Sequence, residues 1–205
     1  MFTGIIHYQG AFKGYSQGKI QISIEAPPSF PPLASGESVA VNGVCLTLFK
    51  REKSVLFFNL SQETLARTNL ANLRPGDRLN LEPPLTLESL LSGHLLTGHV
   101  DGRGRVIRVR MRKPGKRLTI SFPAELRPYL IPKGSIAVNG VSLTVAELRA
   151  SSFETELIPV TLEKSNLASL KPGHLVNLEC DIFGKYVYNY LAFSGHKTKG
   201  CVHGR

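Results

Sequence analysis

Two pairs of small polar side chains stand out against apolar surroundings. Cys45 and Thr47 lie two residues apart in Ser38–Leu48 (SVAVNGVCLTL), and Ser142 and Thr144 lie two apart in Ser135–Val145 (SIAVNGVSLTV). Eight of the eleven positions in these stretches are identical. Residues two apart on a strand share a face, so each pair presents its groups side by side. A thiol can act as a nucleophile, and the hydroxyls donate and accept hydrogen bonds. Such a pair suits a ligand contact, made twice, with one nucleophile position altered. Taken alone, Cys45 reads as a small buried hydrophobe, and it is the polar partner Ser142 at the equivalent site that favours a functional role. His99 adds a titratable ring in Gly-His-Val-Asp-Gly, where the first half has Ile5. A lone histidine is more often structural, but this one sits in a turn-like context that could meet a ligand.

The elements that must position these groups are themselves duplicated. Each polar pair follows an Asn-Gly (42–43 and 139–140), a hairpin signal because both residues tolerate positive φ. Thr64–Glu82 matches Thr161–Glu179 at eleven of nineteen positions, with the same spacing of 97 residues that relates Ser38 to Ser135. Thr3-Gly4 pairs with Thr97-Gly98 at a spacing of 94, and the alternating run Lys19–Ile24 aligns with Arg117–Phe122 at 98. Two long copies make a tandem domain duplication rather than a solenoid. Within each copy, short alternating runs are separated by Pro and Gly, which predicts about six strands closed into a small barrel. Short helices are expected at Glu63–Leu70 and Val160–Leu167. After the second copy, Ile182, Phe183, Tyr186, Val187, Tyr190 and Leu191 form one helical stripe, with Asp181 placed to cap it. That helix belongs to neither copy and is a candidate for oligomerisation. The expected fold is all-β, two homologous six-stranded antiparallel barrels plus a C-terminal α-helix. The divisions are 1–87, 88–181, a helix over 182–193 and a disordered basic tail over 194–205.

Composition narrows the function classes. The chain has 205 residues, 42% hydrophobic and 20% charged, as a pair of globular domains would. No apolar run approaches the roughly 20 residues that span a bilayer, and the start lacks a signal-peptide pattern, so a cytoplasmic protein without a membrane partner is expected. Three cysteines, 45, 180 and 201, give neither a disulfide framework nor a zinc motif, and His94 has no acidic or thiol partner at ligand spacing. No metal site is expected. The net charge of +10 raises nucleic acid as a partner. The basic run Arg103–Arg117 alternates with Val106, Val109 and Met111 and lacks aromatics for stacking bases, so it reads as the solvated face of a hairpin. No phosphate-loop, dinucleotide or Gly-x-Ser-x-Gly motif is present.

Five stretches, MFTGI, VNGVCLT, GHLLTGHVDG, VNGVSLT and VNLECDI, occur in an order that resembles the riboflavin synthase alpha-chain family, from Met1 to about Leu191. The resemblance implies dismutation of two 6,7-dimethyl-8-ribityllumazine molecules to riboflavin and 5-amino-6-ribitylamino-pyrimidinedione, by transfer of a four-carbon unit and without cofactor. It implies a homotrimer held by C-terminal helices, two lumazines per active site between the N-barrel of one chain and the C-barrel of a neighbour, and room for association with lumazine synthase. By motif, Cys45, His99, Ser142, Ser38, Asp181 and Phe2 match active-site positions, with His99 in proton transfer at a lumazine methyl group. Thr47, Thr144, Thr64, Thr161, Thr3, Gly4, Gly98, Val100, Lys133 and Ile158 match binding positions. One departure is Val160, where both the repeat and the family lead one to expect Glu, as at Glu63. The alternative within the same fold is a non-catalytic lumazine- or flavin-binding protein.

Overall fold

Strand alternation places one residue in two inside a barrel, and the first half shows it plainly. The computed structural model describes residues 1–194. Its first barrel comprises β1 (Tyr8–Ser16), β2 (Gln21–Glu25), β3 (Ser38–Val41), β4 (Val44–Glu52), β5 (Val55–Asn59) and β6 (Arg78–Glu82), closed in the order β1-β2-β5-β4-β3-β6. Ile22, Ile24, Leu46, Leu48, Leu56 and Phe58 fill its interior. The second half contains β7 (Gly102–Arg112), β8 (Gly115–Ser121), β9 (Ser135–Val138), β10 (Val141–Thr144), β11 (Glu147–Leu148), β12 (Ser152–Leu157) and β13 (Leu175–Cys180). These form a seven-stranded sheet in the order β10-β9-β13-β7-β8-β12-β11. The extra strand corrects the expected count of six. β10 and β11 are two pieces of the counterpart of β4, which itself carries a bulge between Leu48 and Lys50. At the equivalent place, Val145-Ala146, the copy breaks, so the sheet curls round to ends joined by the chain itself.

The repeat alignment also needs one correction. Ile24 faces Leu56 across β2 and β5, while Ile120 faces Phe153 across β8 and β12. Ile24 therefore corresponds to Ile120, a spacing of 96 rather than 98. The β7–β8 hairpin is longer than its counterpart. Sliding an alternating run by two residues leaves every side chain on its original face, so the pattern alone could not fix the register.

Both Asn-Gly turns have positive φ throughout, 47° and 77° at Asn42-Gly43 and again at Asn139-Gly140. These turns face each other. A Cβ on Gly43 would lie 2.7 Å from the Gly140 backbone nitrogen, and the reverse is equally tight, so neither turn tolerates a side chain there. Around them six buried asparagines bond reciprocally. Asn69 N–H donates to Asn177 Oδ1 and Asn166 N–H donates to Asn80 Oδ1, both at 2.7 Å. Asn80 Nδ2 donates to the Asn139 carbonyl and Asn177 Nδ2 to the Asn42 carbonyl, both at 2.9 Å. Each of these four bonds has a mate in the other half, which marks a local two-fold relation between the barrels. Phe2 and Leu96, mates at the spacing of 94, pair with each other and pack with Ala40 and Ala137.

Short helices α1 (Gln62–Arg67) and α2 (Pro159–Lys164) each run into a 3-10 turn that buries Leu70 or Leu167 in its own barrel. The C-terminal helix α3 (Ile182–Ser194) begins where Asp181 Oδ1 accepts the Phe183 N–H at 3.0 Å. Only its first part rests on the domain, with Tyr188 edge-on to Tyr129 at 5.3 Å. Phe183, Tyr186, Tyr190 and Leu191 remain exposed. None of the described helices is long and apolar enough to cross a membrane. The basic tail from 195 onward, with Cys201, lies outside the described residues.

Candidate functional site

The turn at Asn42-Gly43 starts β4 so that Val44, Leu46 and Leu48 point into the barrel and Cys45 and Thr47 point out. The outer face at Cys45 is then covered by backbone from the other half. Cys45 N–H donates to the Gly98 carbonyl at 2.8 Å, and a Cβ on Gly98 (φ +80°) would fall 2.5 Å from Cys45 Cβ. Only glycine allows this approach. The segment is anchored by Glu179, which accepts from Thr97 N–H and Oγ1–H, each at 2.8 Å, and from Gly98 N–H at 3.1 Å. A cavity of about 260 Å³ results, with Cys45, Thr64, Gly98, His99 and Val100 in its wall. Ser61 caps α1 by accepting the Thr64 N–H at 3.0 Å, which sets the helix that brings Thr64 to the cavity. Glu63 and Arg67 pair at 3.1 Å beside it, both exposed, so the pair adds little stability.

The second half repeats the construction. Ser142 N–H donates to the Gly4 carbonyl at 2.8 Å, and Glu82 holds Thr3 and Gly4 through three bonds of 2.7 to 3.1 Å. The two N-terminal segments are thus exchanged between barrels. Ile6 joins the second core and Val100 packs against the first. Burial pushes the Glu82 and Glu179 carboxyls up, and the hydrogen bonds from Thr3 and Thr97 oppose the shift. A cavity of about 480 Å³ lies beside Ser142, lined also by Thr144, Lys133, Ile158, Thr161, Arg112, Arg117 and Glu156. Arg112 and Arg117 both reach Glu156, at 3.1 and 3.2 Å. Ile158 and Val160 replace Ser61 and Glu63, so α2 starts without a side-chain cap and without a carboxylate at the cavity edge.

One contact goes beyond the repeat. His94 Nδ1 lies 2.7 Å from Ser142 Oγ, while its Nε2 is buried without a hydrogen-bond partner among the described residues. Burial pushes this ring below the usual histidine range, against the opposing pull of Asp181.

Of the residues singled out from sequence, Cys45, Thr64, Gly98, His99 and Val100 come together in the first cavity, and Lys133, Ser142, Thr144, Ile158 and Thr161 in the second. Gly4 lies against Ser142. Phe2 is 1% exposed in the inter-barrel cluster, next to Cys45 rather than in either cavity. Thr3 is buried on Glu82, and Ser38 pairs with Thr47 two residues beyond Cys45 on β4. Asp181 caps α3 and borders the apolar groove between that helix and Tyr129. Cys180 is buried, its thiol pushed up to about 12 by desolvation, and it is chemically inert. Sequence reasoning weighed His94 only as a metal ligand and Asn42 and Asn139 only as turn residues, and it missed the paired glutamates and the other asparagines. Asn-Leu-Glu at 80–82 and 177–179 was visible as a repeat, but nothing in it marked a bond to the other half.

The lumazine binding domain model matches the chain twice, over residues 3–83 and 97–181. The riboflavin synthase of Mycobacterium tuberculosis is 39% identical over 201 residues, covering 95% of this chain and 100% of the relative. That of Bacillus subtilis is 33% identical over 193 residues, covering 93% and 90%. Among solved structures, LumP complexed with riboflavin superposes with a TM-score of 0.79 at 25% identity, covering 88% of this chain and 99% of that one. LumP complexed with 6,7-dimethyl-8-(1'-D-ribityl) lumazine gives 0.76 at 26% identity, covering 87% and 98%.

Proposed function

The chain belongs to the riboflavin synthase family, and we propose that it dismutates two molecules of 6,7-dimethyl-8-ribityllumazine. One lumazine gives up a four-carbon unit and leaves as 5-amino-6-ribitylamino-pyrimidinedione; the other gains it and becomes riboflavin. The atoms of two lumazines equal those of the two products, so no water, oxidant or reductant enters the balance. The observation that carries the reading is the pairing of like cavities with unlike groups, Cys45 with His99 in one and Ser142, itself bonded to His94, in the other.

Each cavity takes one lumazine. Thr64 and Thr161, brought in by α1 and α2, contact the ligands, and Lys133, Thr144 and Ile158 complete the second wall. Exposed His99 moves the proton of a lumazine methyl group, whose acidity comes from conjugation with the ring. Cys45 beside it serves as nucleophile or polar contact. Much of the acceleration comes from holding two flat heterocycles against each other. The two cavities share no lining residue, which supports a site assembled from the first cavity of one chain and the second of another. The exposed apolar face of α3 is the means of holding three chains together.

A second reading, lumazine or flavin binding without turnover, is favoured by the likeness to LumP. Incubating the purified protein with the lumazine separates them. Riboflavin appearing with two lumazines consumed per product supports the synthase. Tight binding with no riboflavin contradicts it.

A further inference from the structure

His94 bonds to the wall of the second cavity through Ser142, and the proposed mechanism leaves it without a task. We infer that His94 is a positioning residue that carries its proton on Nδ1 and thereby fixes Ser142 as a hydrogen-bond donor toward the ligand of the second cavity. The inference rests on the reading that a lumazine occupies that cavity.

The geometry leaves two neutral arrangements. With the proton on Nε2, a buried N–H would have no acceptor among the described residues, while Nδ1 took the hydroxyl proton of Ser142 at 2.7 Å. With the proton on Nδ1, the same contact becomes His94 N–H to Ser142 Oγ, and only a lone pair at Nε2 goes unmatched. Orphaned buried N–H donors are rarer than underused acceptors, and stranding a donor costs the full desolvation of that group. The second arrangement therefore prevails. Burial keeps the ring neutral by pushing its titration below the usual range. The backbone that carries the ring is held in place, because the His94 backbone N–H donates to the Thr3 carbonyl at 3.2 Å and the Leu96 backbone N–H to the Phe2 carbonyl at 3.0 Å.

With Oγ accepting from His94, the Ser142 hydroxyl hydrogen is left for the cavity. A lumazine ring offers carbonyl oxygens and ring nitrogens as acceptors, and the hydroxyl addresses one of them. Cys45, at the equivalent place, has no side-chain hydrogen bond among the described residues, and its thiol is a weak donor free to turn. One wall thus has its polarity fixed, and the other does not.

Nitrogen NMR of the histidine-labelled wild-type protein reads the tautomer directly. The expected result is a protonated Nδ1 and a bare Nε2 at neutral pH. The opposite tautomer, or an imidazolium, overturns the inference. This reading needs no turnover, so a wild-type protein that formed no riboflavin would count against the synthase and not against the tautomer. Lumazine titration then tests the consequence. His94→Leu and Ser142→Ala should each weaken binding about ten-fold, and the double variant by no more than about two-fold beyond either single. His94→Asn, whose Nδ2 can donate from the position of Nδ1, should return affinity to within about three-fold of wild type. Losses that multiply in the double variant contradict the inference, as does a folded His94→Asn protein as weak as His94→Leu.

Discussion

The two halves share a frame and differ at the walls. Both contain the Asn-Gly turn, the buried glutamate that holds an exchanged segment, and a matching set of asparagines. At the walls the first half has Cys45, an exposed His99, and Glu63 at the rim. The second has Ser142 tied to a buried His94, Val160 where Glu63 stands, and three cations, Arg112, Arg117 and Lys133, around the opening. The frame is over-determined by reciprocal bonds, so the walls can change without loss of the fold. Two sites built alike can then hold two identical molecules and treat them differently.

The largest effect should come from making the walls alike. Cys45→Ser should slow riboflavin formation by about 10²-fold with an unchanged unfolding midpoint, since it leaves the frame alone. Near-normal turnover would remove Cys45 from the chemistry and with it the asymmetry. The frame itself should respond symmetrically. Asn80→Ala strands the Asn166 N–H and the Asn139 carbonyl, and Asn177→Ala strands their mates, Asn69 N–H and the Asn42 carbonyl. Each should cost about 2–3 kcal/mol in denaturant unfolding, and the two costs should agree within about 1 kcal/mol, Asn177 having one further bond, to Asn69 Oδ1. Unequal costs would break the claim of a shared frame.

A pH difference should separate the walls. Burial holds the native His94 ring below the ordinary histidine value of 6.5, whereas the unfolded chain binds the proton near that value. The unfolded state therefore holds more protons below 6.5, and stability rises with pH wherever that is true. The contribution from His94 should be complete above 6.5 and decline as the pH falls toward the lowered native value. Unfolding midpoints of His94→Asn should be flatter over this window; an identical slope would contradict a buried neutral ring. The smallest effect belongs to Val160→Glu, which restores a carboxylate four residues before Lys164. It should stabilise α2 by about 0.3–0.5 kcal/mol and shift lumazine affinity by less than about three-fold. A larger shift would mean that Val160, rather than the Cys45/Ser142 exchange, accounts for the difference between cavities.

Much of this was legible in the chain. The duplication, the hairpin turns and the facing of Cys45 with Thr47 follow from identity at fixed spacing and from strand periodicity. The C-terminal helix follows from its stripe and its Asp181 cap. The exchange of segments was not legible. Thr3-Gly4 and Thr97-Gly98 look like the first turns of their own halves, and nothing local says that each covers the other half's strand. The same is true of the asparagines, whose partners lie up to 135 residues away. His94 was set aside for lacking a metal-ligand neighbour in sequence, when its partner is Ser142, 48 residues on. Burial and long-range pairing decide these roles, and periodicity carries no record of either.

The central claim is that unequal walls on separate chains combine into one working site. Mixing the Cys45→Ser chain with the Ser142→Ala chain and letting subunits exchange tests it most directly. If the first cavity of one chain meets the second cavity of another, some assemblies join an intact Cys45 wall to an intact Ser142 wall. Riboflavin formation by the mixture should then exceed that of either variant alone. Activity equal to the average of the two would contradict the account.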